Sequence, residues 1–203
     1  MRKLWILLLI GFSYADGMKA LDIFLQNKNS TISANFTQTV YGRKKNKVST
    51  GSMEISRPNK FKWQYNEEDQ LIVSDGKVIY IYDKPLAQVT LKKLDASLGK
   101  TPALLLAGGS DIKKYYNISE SKSNDGLEWV ILVPKNSDEN NGFKSVLMGF
   151  NKTNQNLTQM QFVDSFDNKS LISFTNVQLG VKFPDNEFKF VAPKGTDIVN
   201  SDQ

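Results

Sequence analysis

Between Arg57 and Thr90, apolar and polar positions alternate in short runs. Phe61, Trp63 and Tyr65 alternate with Lys60, Lys62 and Gln64, which predicts a strand with one aromatic and one polar face. Asp75-Gly76, between Leu71–Val73 and Val78–Tyr82, is a two-residue hairpin signal. The second arm sets Tyr80 and Tyr82 on one face. A curved sheet this rich in aromatics can fill a core or line an apolar pocket, and this stretch alone leaves both readings open.

The same period of two runs through most of the chain. Ile32, Ala34, Phe36 and Val40 alternate, and Val48 to Ile55 forms a second strand across the exposed, basic Gly42–Lys47 turn. Gly51 inside that strand is expected to weaken packing there and to mark a bend. Leu86 to Lys92 continues the series. Strands resume from Lys114, with Leu127, Trp129, Ile131 and Val133 alternating after the turn at Asn124-Asp125-Gly126. A polar loop at Asn136–Asn141 leads to strands at Phe143–Phe150, Leu157–Asp164 and Lys169–Gln178. Phe188 and Phe190 are expected to form the last strand, ended by Ala192-Pro193-Lys194-Gly195.

Two segments break the pattern. Asp16 can cap a helix starting near Gly17, with Leu21, Phe24 and Leu25 on one side, before a polar break at Asn27–Thr31. Thr101 and Pro102 suit the N-cap and first position of a short helix whose residues 103–107 are apolar all round, stopped by Gly108-Gly109. A helix this short is not stable alone, and one without a polar face must be covered on several sides. It can plug a concavity or serve as a buried crossover. The fold class is therefore mainly β: an antiparallel, strongly curved sheet or incomplete barrel of eleven or twelve strands, with helices against its concave side.

The chain has 203 residues, enough for one domain with a sizeable core. Residues 1–15 read as a secretory leader, with Arg2 and Lys3, an apolar run from Leu4 to Phe12, and a small-x-small site at Ser13-Tyr14-Ala15. The single domain then spans 16–203, exported and soluble. There is no cysteine, so no disulfide, thiol chemistry or lipid anchor of its own. Loss of Arg2 and Lys3 lowers the net charge from +5 to +3. That excess suits ordinary solubility or a surface facing an acidic partner protein. Nucleic acid is not an expected partner, because Arg43-Lys44-Lys45 is the largest basic cluster.

No histidine is present, which excludes histidine-based triads and the usual zinc sites. Phosphate-loop and dinucleotide fingerprints are absent. Carboxylate-pair hydrolysis has formal candidates in Glu67, Glu68, Asp69, Asp75 and Asp83. Glu67–Asp69 read as a solvated turn, however, and Asp75 is explained by its hairpin. No enzyme, metal or cofactor is expected.

Taken in order, Phe36-Thr37-Gln38, Arg57-Pro58 with Phe61 and Trp63, Ile72-Val73-Ser74-Asp75-Gly76, Tyr82, Gln88-Val89-Thr90, Thr101-Pro102, Pro134-Lys135, and Pro193 with Gly195 form a pattern. This pattern resembles the outer-membrane lipoprotein carrier proteins of Gram-negative bacteria, the LolA family. The resemblance implies an unclosed antiparallel half-barrel of eleven strands with a helical lid over a hydrophobic cavity. It also implies a periplasmic carrier of acylated lipoproteins, acting as a monomer. Such a carrier is loaded by an inner-membrane ATP-driven lipoprotein-releasing transporter and delivers to an outer-membrane receptor. On that pattern Arg57 is the latch that hydrogen-bonds lid carbonyls, and Phe61 lies at the cavity mouth. The acyl-chain wall would be Phe36, Phe61, Trp63, Tyr65, Tyr80 and Tyr82. The lid would start at Thr101 and Pro102 and present Leu104, Leu105 and Leu106. Because only eight residues follow Gly195, the family's longer C-terminal extension is not expected in full. The alternative is a periplasmic lipid- or lipoprotein-sensing regulatory protein on the same half-barrel.

Overall fold

A computed structural model describes residues 17–26, 31–94, 101–108, 112–122, 125–136 and 142–201. The leader, Asp16, most of the Asn27–Thr31 break, Gly109, Asn124 and most of the Asn136–Asn141 loop lie outside these residues.

Among these residues twelve strands form one sheet. They are β1 (Thr31–Tyr41), β2 (Lys47–Ser56), β3 (Lys60–Tyr65), β4 (Gln70–Asp75), β5 (Val78–Asp83), β6 (Gln88–Lys93), β7 (Tyr116–Ser121), β8 (Leu127–Pro134), β9 (Phe143–Asn151), β10 (Leu157–Asp164), β11 (Lys169–Leu179) and β12 (Asp197–Asn200). The order β12-β6-β5-β4-β3-β2-β1-β11-β10-β9-β8-β7 leaves β12 and β7 as edges, so the sheet does not close. Neighbours are antiparallel except β12, which runs parallel to β6. Among the described residues three helices accompany the sheet: α1 (Gly17–Gln26), α2 (Pro102–Ala107) and α3 (Ile112–Tyr115).

The alternation seen in the sequence decides which face is inner. Ile32, Ala34 and Phe36 of β1, Met53 and Ile55 of β2, Phe61 and Trp63 of β3, and Val146, Met148 and Phe150 of β9 join one continuous apolar core. That core also contains Ala20, Leu21, Phe24 and Leu25 of α1 and all of Ala103–Ala107 of α2. The short apolar helix is thus covered on every side, as its lack of a polar face requires. Each fully buried aliphatic or aromatic side chain contributes about 1.5–3 kcal/mol, so the helices are bound to the sheet mainly through this surface.

Gly51 does not loosen its strand. It lies between Phe36 and Tyr65 in the register, and a Cβ there would stand 2.0 Å from the Gln64 carbonyl oxygen and 2.5 Å from the Phe36 ring. The missing side chain makes room for the Phe36 ring, which lies tilted against Trp63 at 4.5 Å and meets Tyr65 edge-on at 5.2 Å.

The C-terminal segment differs from expectation. Phe188 and Phe190 are not in a strand; they lie in a turn-rich stretch between β11 and β12. This strap places Phe190 on Tyr80 and Tyr82, at 5.3 and 5.6 Å, and Glu187 on Lys62 at 2.6 Å. Val73 and Val89 are buried there, apart from the main core. Beyond Gly195 the chain adds β12, so a C-terminal extension of the sheet is present despite its short length.

Candidate functional site

The turn between β2 and β3 is the corner on which both covering helices converge. Arg57 Nε donates to the Leu106 carbonyl oxygen at 3.0 Å, and its Nη1 donates to the Phe24 carbonyl oxygen at 2.6 Å. Leu106 and Phe24 sit in the last turns of α2 and α1, where carbonyls have no intrahelical donor. The planar guanidinium can serve two such acceptors at once because its donors are fixed in a fork. Its carbon also lies 4.4 Å from the centre of the Phe24 ring. Burial pulls the Arg57 pKa down to about 10, the mark of a cation held away from water.

The corner itself is braced. Asn59 N donates to the Ala107 carbonyl oxygen at 3.0 Å, a second bond from this turn to α2. Asn59 has φ 65°, a left-handed conformation that asparagine tolerates. Its carbonyl accepts from the buried Ser74 hydroxyl at 2.7 Å, and Ser74 Oγ accepts from Gly76 N at 3.2 Å. Asp75 Oδ1 takes the amides of Lys77 and Val78 at 2.8 and 2.9 Å, closing the hairpin. The Ser74-Asp75-Gly76 run therefore fixes a turn and, through Asn59, the position of the corner that carries Arg57. At the other end of α2, Thr101 Oγ1 accepts from Leu104 N at 3.2 Å and Pro102 occupies the first turn.

Phe36, Phe61, Trp63, Leu104, Leu105 and Leu106 come together in the inner core, and Tyr65 packs against it with its hydroxyl donating to Gln38 Oε1 at 2.7 Å. Burial raises the Tyr65 pKa to about 12, so it stays a neutral donor. Tyr80 and Tyr82 are a correction to the expected wall. Ile79 and Ile81 take the inner face of β5, and period two sends the two tyrosines to the outer face under Phe190.

Among the described residues, side chains of α1 and α2 pack into the inner face of the sheet. Beside Arg57 lies a pocket of about 170 Å³, lined also by Ile23 and Phe24 of α1, Ile32, Leu157, Val177 and Leu179. Asn154, Gln155 and Asn156 of the β9–β10 turn form its polar rim. Sequence reasoning missed this rim. Its only signal was an amide-rich turn, in which Asn151 Oδ1 accepts from the Thr153 and Asn154 amides.

Residues 27–191 match the family described as outer membrane lipoprotein carrier protein LolA. The chain belongs to the LolA family. An outer-membrane lipoprotein carrier protein of Chromobacterium violaceum is 43% identical over 189 residues, spanning 93% of this chain and 89% of the relative. One from Nitrosospira multiformis is 38% identical over 200 residues, spanning 97% and 95%. Among solved structures, an uncharacterized conserved protein from Thermus thermophilus superposes with a TM-score of 0.57 at 10% identity, covering 90% of this chain and 98% of that one. A LolA superfamily protein from Nitrosomonas europaea gives 0.50 at 10% identity, covering 86% and 96%. These likenesses at low identity establish the LolA-type fold for the unclosed sheet with its covering helices.

Proposed function

We propose that the protein is a periplasmic carrier of outer-membrane-directed lipoproteins, exported by cleavage after Ala15. It takes up acyl chains by exchanging helix contacts for lipid contacts on the inner face of the sheet. The observation that carries this reading is Arg57, one cation bonded to carbonyls of both covering helices above a continuous apolar core. Hydrogen bonds to charged groups contribute about 1.5–3 kcal/mol each. Two of them, set against the cost of burying the cation, make a latch that ligand binding can overcome.

Moving an acyl chain from water into an apolar pocket gains about 0.8 kcal/mol per methylene. Moving it from a bilayer gains almost nothing, because both environments are apolar. The carrier cannot extract lipoproteins unaided, so an inner-membrane ATP-driven transporter loads it. Release needs only an outer-membrane receptor that binds the cargo more tightly than the closing lid allows. No bond-making chemistry is assigned to any residue.

Incubation of the purified protein with spheroplasts making labelled lipoproteins tests this. Labelled lipoprotein should appear in the supernatant as a one-to-one complex with the carrier. Lipoprotein that stays with the spheroplasts at every carrier concentration would overturn the proposal.

A further inference from the structure

The end of the sheet opposite the Arg57 corner carries the β1–β2, β3–β4 and β10–β11 turns. Arg43, Lys44 and Lys45 project from the first of these, all exposed. Every carboxylate described on the neighbouring turns already has a partner. Glu67 accepts from Thr50, Glu68 pairs with Lys47 at 2.6 Å, Asp69 with Lys84 at 3.4 Å, and Asp167 with Lys144 at 2.7 Å. Asp164 is taken up by its own turn, accepting from Phe166 N, Asn168 N and Asn168 Nδ2. Among the described residues Arg43, Lys44, Lys45 and Lys169 form no ion pair, whereas Lys47, Lys84 and Lys144 do. Tyr41 pairs with Lys169 across β1 and β11, which sets the basic hairpin beside the β10–β11 turn. On that turn Phe166 is 84% exposed, with its own amide and that of Asn168 donating to Asp164 Oδ1. Tyr41 and Val48 are exposed nearby.

We propose that this end docks on an anionic phospholipid surface, with Arg43, Lys44, Lys45 and Lys169 against headgroup phosphates and Phe166 in the interface. Unpaired cations beside a rigidly presented aromatic are the chemistry of interfacial binding to acidic lipid. An acidic protein would use the cations but gives no role to a lone, protruding phenylalanine. The eleven residues of β1 separate this end from the latch by roughly 35 Å. A docked carrier therefore keeps its apolar interior away from the bilayer, where phospholipid would otherwise compete with cargo. The inference is independent of acyl carriage.

Co-sedimentation of the purified protein with vesicles tests it. Vesicles of phosphatidylglycerol and phosphatidylethanolamine should bind the protein, phosphatidylcholine vesicles should not, and 0.5 M NaCl should release it, since such salt screens beyond about 4 Å. The double variant Lys44→Gln, Lys45→Gln should lower partitioning about 25-fold, at about fivefold per cation. Phe166→Ser should weaken it as well, and both variants should keep the thermal midpoint. Equal binding to neutral vesicles, or undiminished binding by the lysine variant, would overturn the proposal. So would binding to polyglutamate without binding to vesicles, which would assign the surface to an acidic protein.

Discussion

At the scale of single residues, Arg57 is the proposed link between sequence and conformational change. Replacing it with leucine leaves the Leu106 and Phe24 carbonyls without their donor, a loss of about 1–3 kcal/mol per bond. The lid equilibrium then shifts toward open while the core that holds the fold is unchanged. Arg57→Leu is expected to fold and to bind lipoprotein but to release it poorly; normal transfer to the receptor in vitro would contradict the latch. Glu67 supplies a second residue-level test. Read as a solvated turn, it in fact accepts from Thr50 N and Thr50 Oγ1, both at 2.7 Å, and these bonds hold its carboxyl below the usual 4.5. A depressed carboxylate contributes stability above 4.5 that is lost as pH falls through the folded value. The Thr50 amide shift should therefore titrate with a midpoint below 4.5, and a midpoint at or above it would show that the clasp does not form.

Elements were legible where one face is apolar and the other wet. The β3 alternation gave its inner aromatics directly, and the Thr101-Pro102 start of α2 was visible because capping chemistry is local. Strand β5 was not legible in the same way. Val78-Ile79-Tyr80-Ile81-Tyr82 is apolar at every position because both faces are covered, one by the core and the other by the strap. Periodicity cannot assign faces in such a run. The same strap explains Phe188 and Phe190, whose spacing imitates a strand although they serve as a cover. The Thr101 cap carries its own prediction. Thr101→Ala should cost about 1 kcal/mol and speed hydrogen exchange at the Leu104 amide, which that hydroxyl accepts from. Unchanged exchange there would mean that packing alone positions α2.

On the scale of the whole molecule, an unclosed sheet wraps two helices whose removal would expose a continuous apolar surface. The resemblance supplied that architecture, while the pocket rim at Asn154–Asn156 and the added edge strand β12 required the structure. Two tryptophans report on the two faces. Trp63 lies in the inner core against Phe36 and Phe174. Trp129 lies apart from that core, over Gly149, with Nε1 donating to Asp125 at 2.9 Å. The most direct measurement loads the carrier with a lipoprotein bearing brominated acyl chains and compares quenching in Trp63→Phe and Trp129→Phe variants of the mature chain. Acyl chains that replace the lid on the inner face should quench Trp63 strongly and leave Trp129 bright; quenching of Trp129 with Trp63 unaffected would contradict the account.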